Sequence, residues 1–267
     1  MHPMLNIAVR AARAAGNIIA RNLGQSADLL VEQKRKDDLV TNIDRECEQA
    51  ITSILLKSYR DHSVLGEESG VTGNPDSEYQ WVVDPIDGTT NFVQGLPHCA
   101  VSIALRHNGK TEVGVVFDPM LNEMFTASRG EGATLNGVRI RVANRDSLDG
   151  AIIGTAFPTR YRERMLPYLE LFARLISNCA DIRRSGSAAL DLCYVACGRY
   201  DGYLEQGLKQ WDFAAGDLIL SEAGGLTTDF MGEPGYVKTG NIVAANPKVL
   251  RSLLKVCDPQ NLPAILR

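Results

Sequence analysis

The chain has 267 residues, 45% of them hydrophobic and 22% charged, which is enough apolar material for one large domain or two packed ones and excludes a largely disordered protein. Its 28 Lys and Arg against 32 Asp and Glu leave a net charge of −4, so no overall positive field exists to hold nucleic acid or an anionic membrane. Arg10, Arg13 and Arg21 interrupt the apolar N-terminal stretch and no run approaches the roughly 18 apolar residues of a membrane span, so the expectation is a soluble, cytoplasmic protein without direct nucleic-acid contacts.

Leu5, Ala8, Ala12, Ala15, Ile19 and Leu23 recur at steps of three and four, which predicts an amphipathic helix over 4–23. VEQKRKDDLV at 31–40 reads as a charged connector, with Lys34, Arg35 and Lys36 on a solvated face. A second helix is expected over 42–59, where Ile43, Cys47, Ala50, Ile51 and Leu55 keep similar spacing. From His62 to Thr155 the period becomes that of strands, at VLGEE, YQWVVD, CAVSIAL, EVGVVFD, EMFTAS and RIRVA. Asn108-Gly109 and Asn136-Gly137 are strong hairpin turns and predict antiparallel pairing. Beyond Gly154, helices near 161–179, 188–197, 213–222 and at the C-terminal end alternate with short strands at DIRR, DGYLEQ and NIVAAN, the order of βαβ units. A boundary near 145–150 separates two packed halves, 1–147 and 148–267, with no flexible linker between them. The six cysteines lack zinc-site spacing and read as reduced and structural. His98 and His107, which flank one strand, read as structural too.

The chemistry concentrates in carboxylates. Trp81 to Asn91 reads WVVDPIDGTTN: an apolar strand runs into Asp84, and Pro85 should end it there. The turn can then aim Asp84, Asp87 and the carbonyl between them at one point, an all-oxygen donor set suited to Mg²⁺. Gly88, Thr89 and Thr90 follow with amides that can face a phosphate. On spacing alone, the same residues equally describe an Asp-Pro turn and a Thr cap. Glu67 and Glu68 after a short strand, Asp212 beside Trp211, and Asp38 and Asp44 before a helix each read, alone, as solvated or capping groups.

Read together, GEES at 66–69, WVVDPIDGTTNF at 81–92 and WDFAAGDLILSEAGG at 211–225 resemble the inositol monophosphatase family of Mg²⁺-dependent, Li⁺-sensitive phosphatases. The order and separation of the motifs agree with that family, and the resemblance to its bacterial inositol-1-monophosphatase branch covers essentially the whole chain. It implies a mixed α/β (α+β) fold, a layered αβαβα sandwich with the site between two halves. It implies that Glu67, Asp84, the backbone carbonyl of Ile86, Asp87 and Asp212 hold Mg²⁺, and that Asp44, Glu67 and Thr89 form the catalytic set, Asp44 and Thr89 orienting and activating a water. Substrate contacts are implied for Asp87, Gly88, Thr89, Thr90, Ala188, Glu205 and Asp212, with Glu205 accepting ring hydroxyls. A further contact falls within Thr155–Pro158, where GTAFP departs from the family's serine-containing form. The implied reaction is direct hydrolysis of a small phosphate monoester, foremost myo-inositol 1-phosphate; fructose 1,6-bisphosphate, 3′-phosphoadenosine 5′-phosphate and histidinol phosphate are rival substrates. The resemblance also implies a homodimer, with Arg183 and Arg184 at its surface. Its alternative is a non-catalytic role as a partner of RNA polymerase and the Nus antitermination machinery.

Overall fold

The computed structural model describes residues 3–25, 30–35, 38–159 and 161–257. Lys36 and the side chains of Lys34 and Arg35 lie outside the described residues, and with them the reading of a basic cluster. The first apolar stripe forms helix α1 (Pro3–Asn22), whose buried face is built largely from Leu5, Ala8, Ala12, Ala15 and Ile19. Those small side chains let helix α2 (Asn42–Ser58) pack close, with Cys47, Ile51 and Leu55 in the shared core. The stretch between them is not a connector. Strand β1 (Val31–Arg35) pairs antiparallel with β2 (Asp38–Thr41), Val31 opposite Thr41. Charge does not oppose this pairing, because a two-stranded ribbon can face water, and Glu32 anchors the ribbon to α2 through Arg45 at 3.0 and 2.5 Å.

The large sheet contains β3 (Ser63–Gly66), β4 (Gly70–Gly73), β5 (Tyr79–Asp87), β6 (Ala100–His107), β7 (Lys110–Asp118), β8 (Glu123–Ser128), β9 (Gly132–Leu135) and β10 (Val138–Arg139). Their order is β10-β9-β8-β7-β6-β5-β3-β4, and every neighbour is antiparallel except β3 with β5. Both expected hairpins form: Asn108 and Gly109 take φ of 49° and 78°, Asn136 and Gly137 take 50° and 81°, the left-handed pair that matches strand twist. The expected strand RIRVA contributes only its first residue, because Val142 leaves the sheet and donates to the Ala223 carbonyl at 3.2 Å.

The second sheet contains β11 (Ile152–Thr155), β12 (Asp181–Arg183), β13 (Gly202–Glu205), β14 (Leu226–Thr228) and β15 (Ile242–Ala245), in the order β12-β11-β13-β15-β14. Only the pairs around β11 are parallel; β13, β14 and β15 pair antiparallel. The βαβ expectation therefore holds for the first part of this sheet and fails for the rest. Helices α4 (Met165–Ile176), α5 (Ala188–Ala196), α6 (Gln210–Glu222) and α8 (Pro247–Cys257) follow the expected sites, and a 3₁₀ turn at Arg162–Arg164 opens α4. A short helix, α3 (Thr89–Val93), follows β5, and another, α7 (Tyr236–Thr239), joins β14 to β15.

Three cores define five layers. One lies between α1, α2 and the large sheet, one around α5 and α6 between the two sheets, and one between the second sheet and α4 and α8. This is the expected αβαβα sandwich. Helix α5 is buried at every position, as a central-layer helix must be. A Cβ at Gly216 of α6 would stand 2.8 Å from Leu192 Cβ, so glycine there allows the two helices to touch. Among the described residues no helix is long and apolar enough to cross a membrane, and all six cysteines are free.

Candidate active site

Strand β5 drives Trp81, Val82 and Val83 into the core and then bulges, so that Asp84 faces Ser102 and Asp87 faces Ala100 with the register slipped between them. The strand does not end at Asp84 as expected. Pro85 sits in the bulge, where its missing N–H costs no ladder bond. Asp84 Oδ1 accepts from the Ile86 amide at 3.0 Å, and the Ile86 carbonyl accepts from the Thr89 hydroxyl at 3.0 Å. Gly88 has φ 98°, and a Cβ on it would lie 3.1 Å from the carbonyl oxygens of both Gly186 and His98, so only glycine passes this point.

Asp44 is 1% exposed and completes the capping box of α2, its Oδ2 accepting from the Thr41 amide at 2.8 Å and the Thr41 hydroxyl at 2.5 Å. Its Oδ1 is 3.1 Å from the Thr89 hydroxyl. The single Thr89 proton thus has two acceptors, Asp44 and the Ile86 carbonyl, which hold the hydroxyl in one orientation. Glu67 follows Gly66, where a Cβ would stand 2.4 Å from Glu48 Cδ. The Glu48 carboxylate, 3% exposed, accepts from the amides of Glu68 and Ser69 at 2.8 Å each and so shapes the turn that presents Glu67. Asp87 Oδ2 accepts from the Ser187 hydroxyl at 2.6 Å and the Ala189 amide at 2.7 Å, tying the loop after β5 to the start of α5. Asp212 lies in the first turn of α6 and reaches back to the Lys209 amide at 2.6 Å.

These elements meet at a cavity of about 700 Å³. Glu67, Asp84, Ile86, Asp87 and Asp212 line it, together with Gly88, Thr89, Thr90, Ala188 and Glu205. Asp44 stands behind Thr89, outside the lining. Of the Thr155–Pro158 segment, Phe157 and Pro158 reach the cavity. Thr155 does not: it is fully buried, with its hydroxyl bonded to the Leu204 carbonyl at 2.8 Å and to the Tyr168 hydroxyl.

Burial, followed by repulsion from Glu67, Asp87, Asp212 and Asp44, pushes the Asp84 carboxyl well above the usual range. Burial and then Asp87 do the same to Asp212, and burial raises Asp44 against the opposing hydrogen bonds of Thr41 and Thr89. Among the described residues no three acidic, His or Cys groups are already drawn into a ready metal-ligating cluster, and Asp84, Asp87 and Asp212 each have one oxygen turned into an internal hydrogen bond. The donor chemistry still fits a hard divalent cation: the lining offers carboxylates and a backbone carbonyl and includes no His or Cys.

Several residues at the site escaped the sequence reading. Asn91 donates to the carbonyls of His98 and Ser185 at 2.8 and 2.9 Å, fixing the loop before α5. Asp191 is 1% exposed and accepts from the Ser185 hydroxyl at 2.6 Å; burial raises its carboxyl. Arg184, expected on a subunit surface, lines the cavity, whereas Arg183 points outward and pairs with Asp181 at 2.5 Å. His107 is structural as expected, stacked on Tyr79 at 4.2 Å. His98 lies beside Tyr194 at 6.0 Å and does not line the cavity.

The chain belongs to the inositol monophosphatase family, whose family model matches residues 1–257. It is similar to the Nus factor SuhB of Pasteurella multocida, at 54% identity over 97% of both chains. The crystal structure of the extragenic suppressor protein suhB from Bartonella henselae superimposes with a TM-score of 0.94 at 40% identity, covering 97% of this chain and 99% of that one. An inositol monophosphatase from Anabaena superimposes with a TM-score of 0.85 at 38% identity, covering 97% and 96%.

Proposed function

We propose that the protein is a Mg²⁺-dependent phosphatase that hydrolyses myo-inositol 1-phosphate to inositol and phosphate. The observation that carries this reading is the convergence of Glu67, Asp84, Asp87 and Asp212 on one cavity, with Asp84 and Asp212 held far from their ordinary ionisation by burial and then by neighbouring carboxylates, Glu67 and Asp87 among them for both. Buried carboxylates crowded together in this way favour a cation binding site. Glu67, Asp84, the Ile86 carbonyl, Asp87 and Asp212 would hold Mg²⁺, which when bound supplies charge neutralisation, acidification of a water and stabilisation of the phosphoryl oxygens. The residues divide the remaining work. Thr89 and Asp44 orient the attacking water, and Glu67 completes that catalytic set. Gly88, Thr89 and Thr90 face the phosphate, while Ala188 and Glu205 border the polyol. The halves 1–147 and 148–267 each contribute part of the site, and the protein acts in the cytoplasm as a homodimer.

The test is phosphate release from inositol 1-phosphate, fructose 1,6-bisphosphate, 3′-phosphoadenosine 5′-phosphate and histidinol phosphate, with Mg²⁺, with a chelator and across a Li⁺ titration. We expect inositol 1-phosphate to be the preferred substrate, activity to vanish with the chelator, and millimolar Li⁺ to inhibit. A second role, as a partner of RNA polymerase and Nus factors, is supported by the naming of the Pasteurella relative as a Nus factor. Binding of the purified protein to those partners, with and without Mg²⁺, tests it.

A further inference from the structure

Helix α5 is buried at every position and carries a single charged residue, Asp191 in its first turn. A carboxyl in such a place burdens the fold unless its hydrogen bonds are made. Asp191 is 1% exposed, and its Oδ1 accepts from the Ser185 hydroxyl at 2.6 Å. The Ser185 oxygen in turn accepts from the Ser187 amide at 3.4 Å, and the Ser187 hydroxyl donates to Asp87 Oδ2 at 2.6 Å. A chain of contacts thus runs from Asp191 through two serines to Asp87. The loop it crosses has a soft point, because Gly186 stands between the serines with φ 95°. Asn91 holds the main chain there, donating to the Ser185 carbonyl at 2.9 Å; the Ser185 side chain is left to Asp191.

We propose that Asp191 is a positioning residue: by holding Ser185 it sets Ser187, and through Ser187 the orientation in which Asp87 meets a divalent cation. The proposal rests on the metal assignment made above. The Ser187 hydroxyl and the Ala189 amide, at 2.6 and 2.7 Å, both land on Asp87 Oδ2, so the tilt of that carboxylate is set from the α5 side. A displacement of Ser187 moves one of the two donors and turns the carboxylate away from its place. Removing a hydrogen-bond partner of a ligating group costs about 10–100-fold in metal affinity. Asp191 acts two contacts further out, which places its effect at the lower end of that range.

The experiment measures Mg²⁺ binding by titration calorimetry, without substrate, for the parent, Asp191→Leu, Asp191→Asn, Ser185→Ala and the double variant Asp191→Leu/Ser185→Ala. We expect Asp191→Leu and Ser185→Ala each to weaken Mg²⁺ binding roughly tenfold, and the double variant to lose no more than the larger single effect, because both changes break one chain of contacts. Asp191→Asn keeps an oxygen for the Ser185 hydroxyl and should bind Mg²⁺ within about twofold of the parent, a rescue that a charge effect of the buried carboxylate would not give. The Mg²⁺ concentration for half-maximal phosphate release should rise by the same factors. If Asp191→Leu fails to fold, Ser185→Ala, a truncation of a half-buried loop side chain, decides alone. Unchanged Mg²⁺ binding in the Leu and Ala variants, an Asn variant as weak as the Leu variant, or additive losses in the double variant would overturn the assignment and leave the metal reading standing. A parent that binds no Mg²⁺ sinks the metal reading and this assignment with it.

Discussion

Replacing Asp84 by Asn should stabilise the metal-free protein while abolishing most of its phosphatase activity. The amide keeps an oxygen to accept from Ile86, which Asp84 Oδ1 now does at 3.0 Å, so the bulge survives. What disappears is a carboxylate, 2% exposed, facing the charges of Glu67, Asp87, Asp212 and Asp44. One like-charge contact at about 4 Å is worth roughly 4 kcal/mol at an effective dielectric near 20 and about 1 kcal/mol in water. Asp84 escapes part of this by retaining its proton, so relief of about 1–3 kcal/mol is expected, or about 2–10 °C in Tm for a chain of this size. The sign follows from linkage: the folded pKa lies above the unfolded value, so the site is least costly below the ordinary carboxylate range and loses stability as pH rises through the folded value. The advantage of the variant should accordingly grow as pH rises above the ordinary carboxylate range. Calorimetry with EDTA and with Mg²⁺ measures both arms, and Mg²⁺ should raise the Tm of the parent by more than that of the variant. A variant that melts below the parent in EDTA, or gains as much from Mg²⁺, refutes the reasoning.

Gly66→Ala should cost about 1–3 kcal/mol in denaturant unfolding, because its Cβ would stand 2.4 Å from Glu48 Cδ; a loss below about 0.5 kcal/mol would show that Glu48 yields freely. The Trp81 indole donates to His62 Nδ1 at 3.1 Å, and burial lowers the His62 pKa. Its stabilisation is intact above the unfolded value near 6.5 and is lost as pH falls through the folded one; His62→Gln should flatten the fall in Tm on this limb relative to the parent, and parallel profiles would contradict that. Arg184→Ala should shift the monomer–dimer balance and partner binding, and should raise KM because Arg184 also lines the cavity. Asp84→Asn should leave assembly unchanged. Sedimentation, pull-down and kinetics on the two variants check this division.

The amphipathic period of α1 and α2 and the Asn-Gly turns were legible because each rests on neighbours in sequence. The charged ribbon β1–β2 was not, since its pairing needs no apolar face. The short β4, β11 and β14 carry too few residues to establish a period. Pro85 misled for a physical reason: a proline ends a regular ladder but is tolerated in a bulge, and only the register with β6 reveals the bulge. The approach of Asp84 and Asp87 was visible in the turn that joins them, and the convergence of Glu67 and Asp212 on the same point was visible only through the family resemblance. Glu48, Asn91 and Ser187 stayed hidden because their importance lies in contacts far along the chain, as with Ser187 and Asp87.

Helices α5 and α6 cover the inner face of the large sheet, yet the ribosome makes them only after all eight of its strands. A nascent chain that stops short of α6 therefore presents a finished sheet with one apolar face bare. Such a face is a template for aggregation. The same order means that a fragment ending at residue 147 lacks both the cover for its sheet and the partners of Asp87. The proposed cation site is completed only late in synthesis, when Asp212 of α6 has arrived. Pausing or truncation before that helix should therefore leave the chain dependent on chaperones, and metal in the growth medium would bring it no relief.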